Sequence, residues 1–123
     1  MLRPFLDVAQ FWRVPDDARG QFGQTHFARR AEERGVTCLP GWALYWAVCH
    51  ALCAGCSDVI ERVFAMRNGS VIYRILLPEG AFYPVVNAAG VVTTLYTQDM
   101  LRKAKRGRMV ARLKRVPRRW RLR

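Results

Sequence analysis

The last stretch of the chain, residues 101–123, contains no Asp or Glu, yet it holds twelve of the 21 Lys and Arg residues. The first 100 residues hold nine Arg and nine acids, so their formal charges cancel. The formal net charge of +12 therefore lies in one terminal arm. This distribution predicts an irregular N-terminal segment (residues 1–23), a near-neutral domain (residues 24–100) and a basic C-terminal arm (residues 101–123).

No stretch of 18 or more residues is free of charged and polar breaks, so the sequence predicts no membrane span. Acidic and basic residues interrupt the N-terminal stretch, which argues against a secretory signal peptide. We therefore expect a cytoplasmic protein whose four cysteines are free thiols. Lysine is scarce, with 3 Lys against 18 Arg, which is typical of a GC-rich bacterial or phage source.

A chain of 123 residues is too short for a two-lobed enzyme and has the length of one domain. Its hydrophobic content of 51% is ordinary for a folded protein and excludes a disordered body.

Helical signals dominate the first half of the domain. Thr25 is a suitable N-cap and Gly35 a suitable C′ residue for a first helix. A second helix is predicted from about Pro40 to Ala54, with Gly55 as its stop. Its Trp and Cys residues recur at helical spacing, and further apolar residues widen this stripe almost all round, so we expect the helix to be deeply packed. The widening residues are Leu44, Val48, Ala51 and Leu52. The stripe consists of Trp42, Trp46, Cys49, Cys53 and Cys56.

After residue 57 the hydrophobic period changes from 3.6 to 2, which predicts four strands at about 59–67, 70–77, 82–87 and 91–97. Asn68-Gly69 is a strong hairpin signal, and all the connections are short, so an antiparallel meander is expected. Pro84 predicts an edge or bulged position for the third strand. The fold class is therefore α+β, with two N-terminal helices packed on a four-stranded antiparallel sheet and a basic C-terminal helix or tail.

The arm predicts a polyphosphate partner, because each neutralised phosphate releases counterions. RNA is the first choice and DNA the second, and the alternatives are a membrane surface, an acidic protein or a solvated tail. Trp120 would stack on a base. The predicted nucleic-acid-binding residues are Arg74, Arg102, Lys103, Lys105, Arg106, Arg108, Arg112, Lys114, Arg115, Arg118, Arg119 and Trp120.

His26 lies in the first turn of the first predicted helix, within one turn of Arg29 and Arg30. This spacing places a titratable base beside a cation at a helix end that favours anions. The alternative is an ordinary exposed histidine among helix arginines. The cysteines and His50 do not have the spacing of a known zinc site, so no metal and no cofactor are expected.

In the last strand, Thr94 and Tyr96 share one face if Val91, Thr93 and Leu95 face the helices. A hydroxyl and a phenol then project together toward a cleft or solvent. The alternative is a strand that carries two residues of high β-propensity on its solvent-exposed face, without a functional role.

Residues 25–36 resemble a helix of the small toxin-type ribonuclease domains of the barnase/EndoU/colicin/RelE superfamily. Residues 90–97 resemble that group's closing strand with its Thr-x-Tyr, and the order of helices followed by a four-stranded meander is similar over residues 24–97. The resemblance implies a metal-independent RNA endonuclease and a cognate inhibitor protein. His26 would match the helix-borne histidine, Arg29 or Arg30 its basic companion, and Thr94 and Tyr96 the strand hydroxyl pair.

Such an enzyme would use His26 as base or acid and Arg29 or Arg30 to stabilise the phosphorane. Thr94 would donate a hydrogen bond to a non-bridging oxygen, and Tyr96 would stack on a base or donate a proton. Arg74 and Tyr83 are secondary candidates. The competing hypotheses are a non-catalytic RNA- or DNA-binding module that uses the arm, and an adaptor that docks on an acidic protein.

Overall fold

A computed structural model describes residues 2–7 and 25–114, with side chains up to residue 107. The chain forms an α+β domain with a four-stranded antiparallel sheet, as predicted. No helix in these described ranges is long and apolar enough to cross a membrane. The elements are a 3-10 turn at Phe5–Asp7, α1 at His26–Glu33, α2 at Gly41–Ala54, β1 at Glu61–Ala65, β2 at Val71–Leu77, β3 at Gly80–Val86, β4 at Val92–Tyr96 and α3 at Gln98–Lys114.

Local capping signals set the ends of the first two helices. The Thr25 hydroxyl accepts a hydrogen bond from the Ala28 amide at 3.1 Å, so the predicted N-cap is confirmed. Gly35 follows α1 with a φ of +93°, and Gly55 ends α2 with a φ of +66°. Both values lie in the left-handed region that glycine adopts at little cost, which explains why each helix stops there.

The prediction that α2 is deeply packed almost all round is right for Leu44, Val48 and Ala51 and wrong for the Trp and Cys stripe. The face that is fully buried carries small and aliphatic residues, while Trp42, Trp46 and Cys49 are half-buried and Cys53 is exposed. The reason is the close approach of α1: a side chain at Gly41 would collide with the backbone of Ala28. The buried residues of α2 are Gly41, Ala43, Leu44, Ala47, Val48 and Ala51.

The strands lie in the order β1-β2-β3-β4, which confirms the antiparallel meander. Asn68-Gly69 lies in the first hairpin loop, where Gly69 has a φ of +88°. β3 is an interior strand and not an edge. The β2–β3 ladder pairs Ile72 with Val85, skips Pro84, and resumes at Ile75 and Phe82, because proline has no donor for the ladder. A bulge follows at Val85–Val86 against β4.

The sheet has two differently covered faces. The face toward α1 and α2, called the first face here, carries the larger core, with Ile75, Phe82 and Leu95 among its buried residues. The opposite face, called the second face, carries a smaller cluster of Ile72, Tyr83 and Val85, against which Leu101 of α3 packs. The bulge changes the alternation of β4, so that Val92 is buried while Val91 is half exposed at 50%, contrary to the prediction for Val91.

Several predicted features lie outside the described residues. These are most of the N-terminal segment 1–23 and the arm residues Arg115, Arg118, Arg119 and Trp120. For Arg108, Arg112 and Lys114 only the backbone is described, within α3.

Candidate nucleic-acid interface

His26 is the first residue of α1, and its ring is exposed. Arg30, one turn later, donates a hydrogen bond from Nε to His26 Nε2 at 3.3 Å. The same guanidinium forms an ion pair with Glu33 at 2.7 Å. Because Nε2 is the acceptor in this bond, the proton of the neutral imidazole is assigned to Nδ1. Of the two arginines predicted as companions of His26, Arg30 therefore has the contact, and Arg29 is an exposed residue on the same helix.

Arg34, the C-cap of α1, connects the helix to the last strand. Its Nη1 donates to the Thr94 hydroxyl at 3.2 Å and to the Leu95 carbonyl. β4 is an edge strand, and Leu95 lies opposite Pro84, so this carbonyl points to the open side of the sheet. Burial, followed by the nearby Arg30, lowers the pKa of Arg34, while Glu33 and Tyr96 oppose that shift. A guanidinium stays protonated nonetheless, so Arg34 is a fixed cation beside Thr94.

His26, Arg30 and Arg34 follow one another at intervals of four and form a single stripe along α1. Arg34 follows His26 by eight positions, which corresponds to about 12 Å along a helix axis. Among the hydrogen bonds of the described residues, none joins His26 to Thr94 or Tyr96. The structure therefore brings Thr94 to Arg34 and not to His26. Sequence reasoning missed Arg34, and its only signal was the helical spacing of four from Arg30.

Tyr96 lies on the side of β4 opposite Leu95, and Thr94 stands two residues before it on the same strand. Tyr96 packs beside the second-face cluster with Leu101, and its strand partner is Tyr83. Tyr83 is only 5% exposed, so this secondary candidate is a core residue. The Tyr96 ring thus lies on the side of the sheet that α3 contacts, while its phenol remains within electrostatic reach of Arg34 at the sheet edge.

Arg74 lies on the same second face, since it is two residues from Ile72 on β2. It forms an ion pair with Glu61 directly across the β1–β2 ladder. The Arg74 side chain is 40% exposed, and its Nε is buried without a hydrogen-bond partner among the described atoms. Arg74 is therefore a cation on the second face that is already partly neutralised.

The first turns of α3 carry exposed cations above the second face. Lys103 and Arg106 are exposed, and Arg102 lies 3.7 Å from Asp99 in a solvent-exposed pair. Lys105 places its ammonium 5.8 Å from the centre of the Phe64 ring. Leu101 and Ala104 pack inward, so the helix presents its basic side to solvent.

The thiols lie away from this basic surface. All four cysteines are free. Burial, followed by a hydrogen bond to Glu79, raises the pKa of Cys38 to about 11. The Glu79 carboxylate also accepts the amides of Thr37 and Cys38 at 2.7 and 3.1 Å, which ties the β2–β3 turn to the α1–α2 loop. Within the described residues, no group of three or more His, Cys, Asp or Glu side chains is placed to hold a metal ion.

His50 is exposed, and its ring stacks on Trp46 with centroids 3.8 Å apart. Both rings are on α2, the helix that packs against the first face of the sheet.

The geometry thus defines an α+β domain in which His26, Arg30 and Arg34 line one side of α1, and in which exposed cations of residues 102–106 lie above one sheet face. The chain matches no protein-family model, and searches of curated proteins and of solved structures found no match. The resemblance to toxin-type ribonuclease domains accordingly stays a prediction.

Proposed function

We propose that this protein binds nucleic acid, with RNA as the first candidate, through the basic arm 101–123. The observation that carries the proposal is the complete segregation of charge: a body with balanced charges joined to an arm with twelve cations and no acid. Leu101 and Ala104 hold the start of the arm against the second face, which orients the exposed cations of α3 outward. A fixed array of cations loses less conformational entropy on contact with phosphates than a free chain does.

Continuation of the arm as a basic helix through its last residues is part of this proposal. Polyanion binding by such an array depends on counterion release, so its affinity falls linearly with the logarithm of the salt concentration. The contacts with phosphate provide affinity without sequence preference.

The test is fluorescence anisotropy of a labelled RNA strand, titrated with protein at several salt concentrations. We expect Lys103→Gln combined with Arg106→Gln to weaken binding and to reduce the salt slope by about 0.7 for each phosphate that the protein no longer neutralises. The matched control is Arg62→Gln combined with Arg67→Gln, which removes two exposed cations from outside the arm. Removal of residues 108–123 should abolish most of the affinity. A protein that binds equally well without the arm contradicts the proposal.

A second candidate function, RNA cleavage without a metal ion, is supported by the contact between Arg30 Nε and His26 Nε2. Once Arg30 turns from His26 to the phosphate, the freed Nε2 of His26 would take the proton of a ribose 2′-hydroxyl, whose oxygen then attacks phosphorus. The 5′-oxygen would leave with a proton taken from water, and a 2′,3′-cyclic phosphate would remain. Arg30 would stabilise the added negative charge of the phosphorane.

Cleavage is tested by incubating labelled RNA with the protein in the absence of metal, beside His26→Ala and Arg29→Gln. Fragments that end in cyclic phosphate, absent with His26→Ala and retained with Arg29→Gln, would support the candidate. Intact RNA with a retarded mobility would leave binding as the function.

A further inference from the structure

A cleft lies on the second face, between the start of α3 and the sheet. Its volume is about 380 Å³, and it is open to solvent on one side. This volume lies at the lower end of the range for small-molecule sites in proteins. The cleft is lined by Met66, Tyr96, Met100, Lys103 and Ala104.

The lining combines an aromatic ring, two thioethers and one ammonium group. Tyr96 is half-buried and contributes a ring with a fixed position on β4. Methionine side chains are polarizable and adapt to a flat ring placed beside them. Lys103 is exposed and adds a positive charge to the lining. A flat π-system joined to a negative charge is the ligand chemistry that this set of side chains complements.

Further positive charge lies on both sides of the cleft. Arg106 continues the exposed cations of α3 along the chain, and Arg74, which is 40% exposed and partly neutralised by Glu61, lies on the same sheet face. Neighbouring strands are about 4.8 Å apart, so Arg74 on β2 and Tyr96 on β4 are separated by about 10 Å across the sheet. A phosphate backbone that enters the cleft therefore meets cations before and after it.

We propose that this cleft holds one unpaired base of a single-stranded nucleic acid, with Tyr96 against the base and Lys103 at its phosphate. The inference rests on the proposed function and specifies the form of the ligand. A base in a duplex must break its pairing and stacking to enter a cleft, whereas a base in a single strand is already free to do so. An acidic peptide satisfies the same cations but has no base for Tyr96.

The experiment compares three labelled ligands of equal length: a mixed-sequence single strand, its duplex, and a strand of abasic residues that keeps the phosphates. We expect the single strand to bind the full chain about tenfold more tightly than the abasic strand, because stacking on an aromatic side chain contributes at this level. Tyr96→Leu should bind the single strand and the abasic strand equally. Tyr96→Phe, which keeps the ring, should behave like the native protein.

Lys103→Gln should weaken binding of the single strand and the abasic strand by a similar factor, because both carry phosphates. Arg62→Gln removes one exposed cation on the side of the sheet that faces α2, and it should have a smaller effect. If Tyr96→Leu does not fold, Ala104→Leu provides a second test, since it fills the cleft from α3 and leaves Tyr96 in place.

Equal, salt-dependent binding of all three ligands, unchanged by Tyr96→Leu or Ala104→Leu, would overturn this inference and leave nucleic-acid binding intact. Tighter binding of the duplex than of the single strand would also overturn it. Failure of all three ligands to bind at low salt would remove the proposed function, and the inference with it.

Discussion

The two faces of the sheet differ in how they are covered. The first face is covered by α1 and α2, and its core is aliphatic and aromatic throughout. The second face is contacted by the first turns of α3 through Leu101 and Ala104. The first face therefore accounts for most of the apolar burial of the domain. The exposed Lys and Arg side chains of α3 lie above the second face. Stability and the proposed binding thus reside on opposite sides of one four-stranded sheet.

The largest expected difference in stability is between the truncation of a buried leucine on the first face and the truncation of one on the second face. Leu44 on α2 is fully buried, and Leu44→Ala should lower the free energy of unfolding by about 4 kcal/mol. Leu101 on α3 is 6% exposed at the edge of the smaller cluster, and Leu101→Ala should lower it by about 2 kcal/mol. Urea unfolding monitored by circular dichroism measures both. Equal losses would mean that α3 is as integral to the fold as α2.

Replacement of Gly41 by alanine should lower the stability of the protein, whereas replacement of Gly107 by alanine should raise it. Gly41→Ala places a methyl group against the backbone of Ala28, and it should destabilise the protein by about 2 kcal/mol. Gly107→Ala in α3 meets open space, and it should stabilise that helix by up to about 1 kcal/mol. The readout is the midpoint of thermal unfolding, with helix content at low temperature for Gly107→Ala. A neutral Gly41→Ala would show that α1 and α2 separate at little cost.

Arg34 joins α1 to the edge of the sheet, so its replacement should cost less than a core deletion but more than a surface change. Arg34→Met keeps the aliphatic stem and removes the bonds to Thr94 and Leu95, for an expected destabilisation of about 1.5 kcal/mol. Arg29→Met on the exposed side of the same helix is the control and should stay within about 0.5 kcal/mol. Indistinguishable unfolding curves for the two variants would show that the Arg34 hydrogen bonds do not stabilise the fold.

The smallest expected effect is on the rate at which the exposed thiol of Cys38 is alkylated. The pKa of Cys38 is raised to about 11, so at pH 8 only about one part in a thousand is thiolate, and alkylation should be slow. Its rate should climb with pH until the pH passes about 11. Because Glu79 contributes to the shift after burial, Glu79→Gln should accelerate the reaction in part.

Iodoacetamide labelling followed by peptide mass spectrometry resolves each cysteine separately, so Cys53, which is also exposed, is an internal control. Labelling of Cys38 as fast as that of Cys53 at pH 8 would contradict the raised pKa.

Local signals predicted most of the secondary structure. Thr25, Gly35 and Gly55 end helices through their own side chains or backbone angles, and Asn68-Gly69 forms a turn within a few residues. In the candidate site, the contact between His26 and Arg30 was also predictable, because residues four apart on a helix are neighbours whatever surrounds the helix.

Other features depend on parts of the chain that are distant in sequence. The Trp and Cys stripe of α2 has the more prominent periodicity, yet the small residues are buried because α1 approaches α2 closely at Gly41. Arg34 meets Thr94 across 60 positions of sequence, which no spacing along one helix encodes.

The charge segregation, the meander and the helix ends follow from the amino-acid sequence alone, since each depends on composition or on interactions within a few residues. Three features required the folded chain: which side of α2 is buried, where the bulge shifts the faces of β4, and that Tyr96 and Lys103 line one cleft. Packing and register are settled by contacts between elements, because shape and backbone approach there outweigh the preferences of any single element.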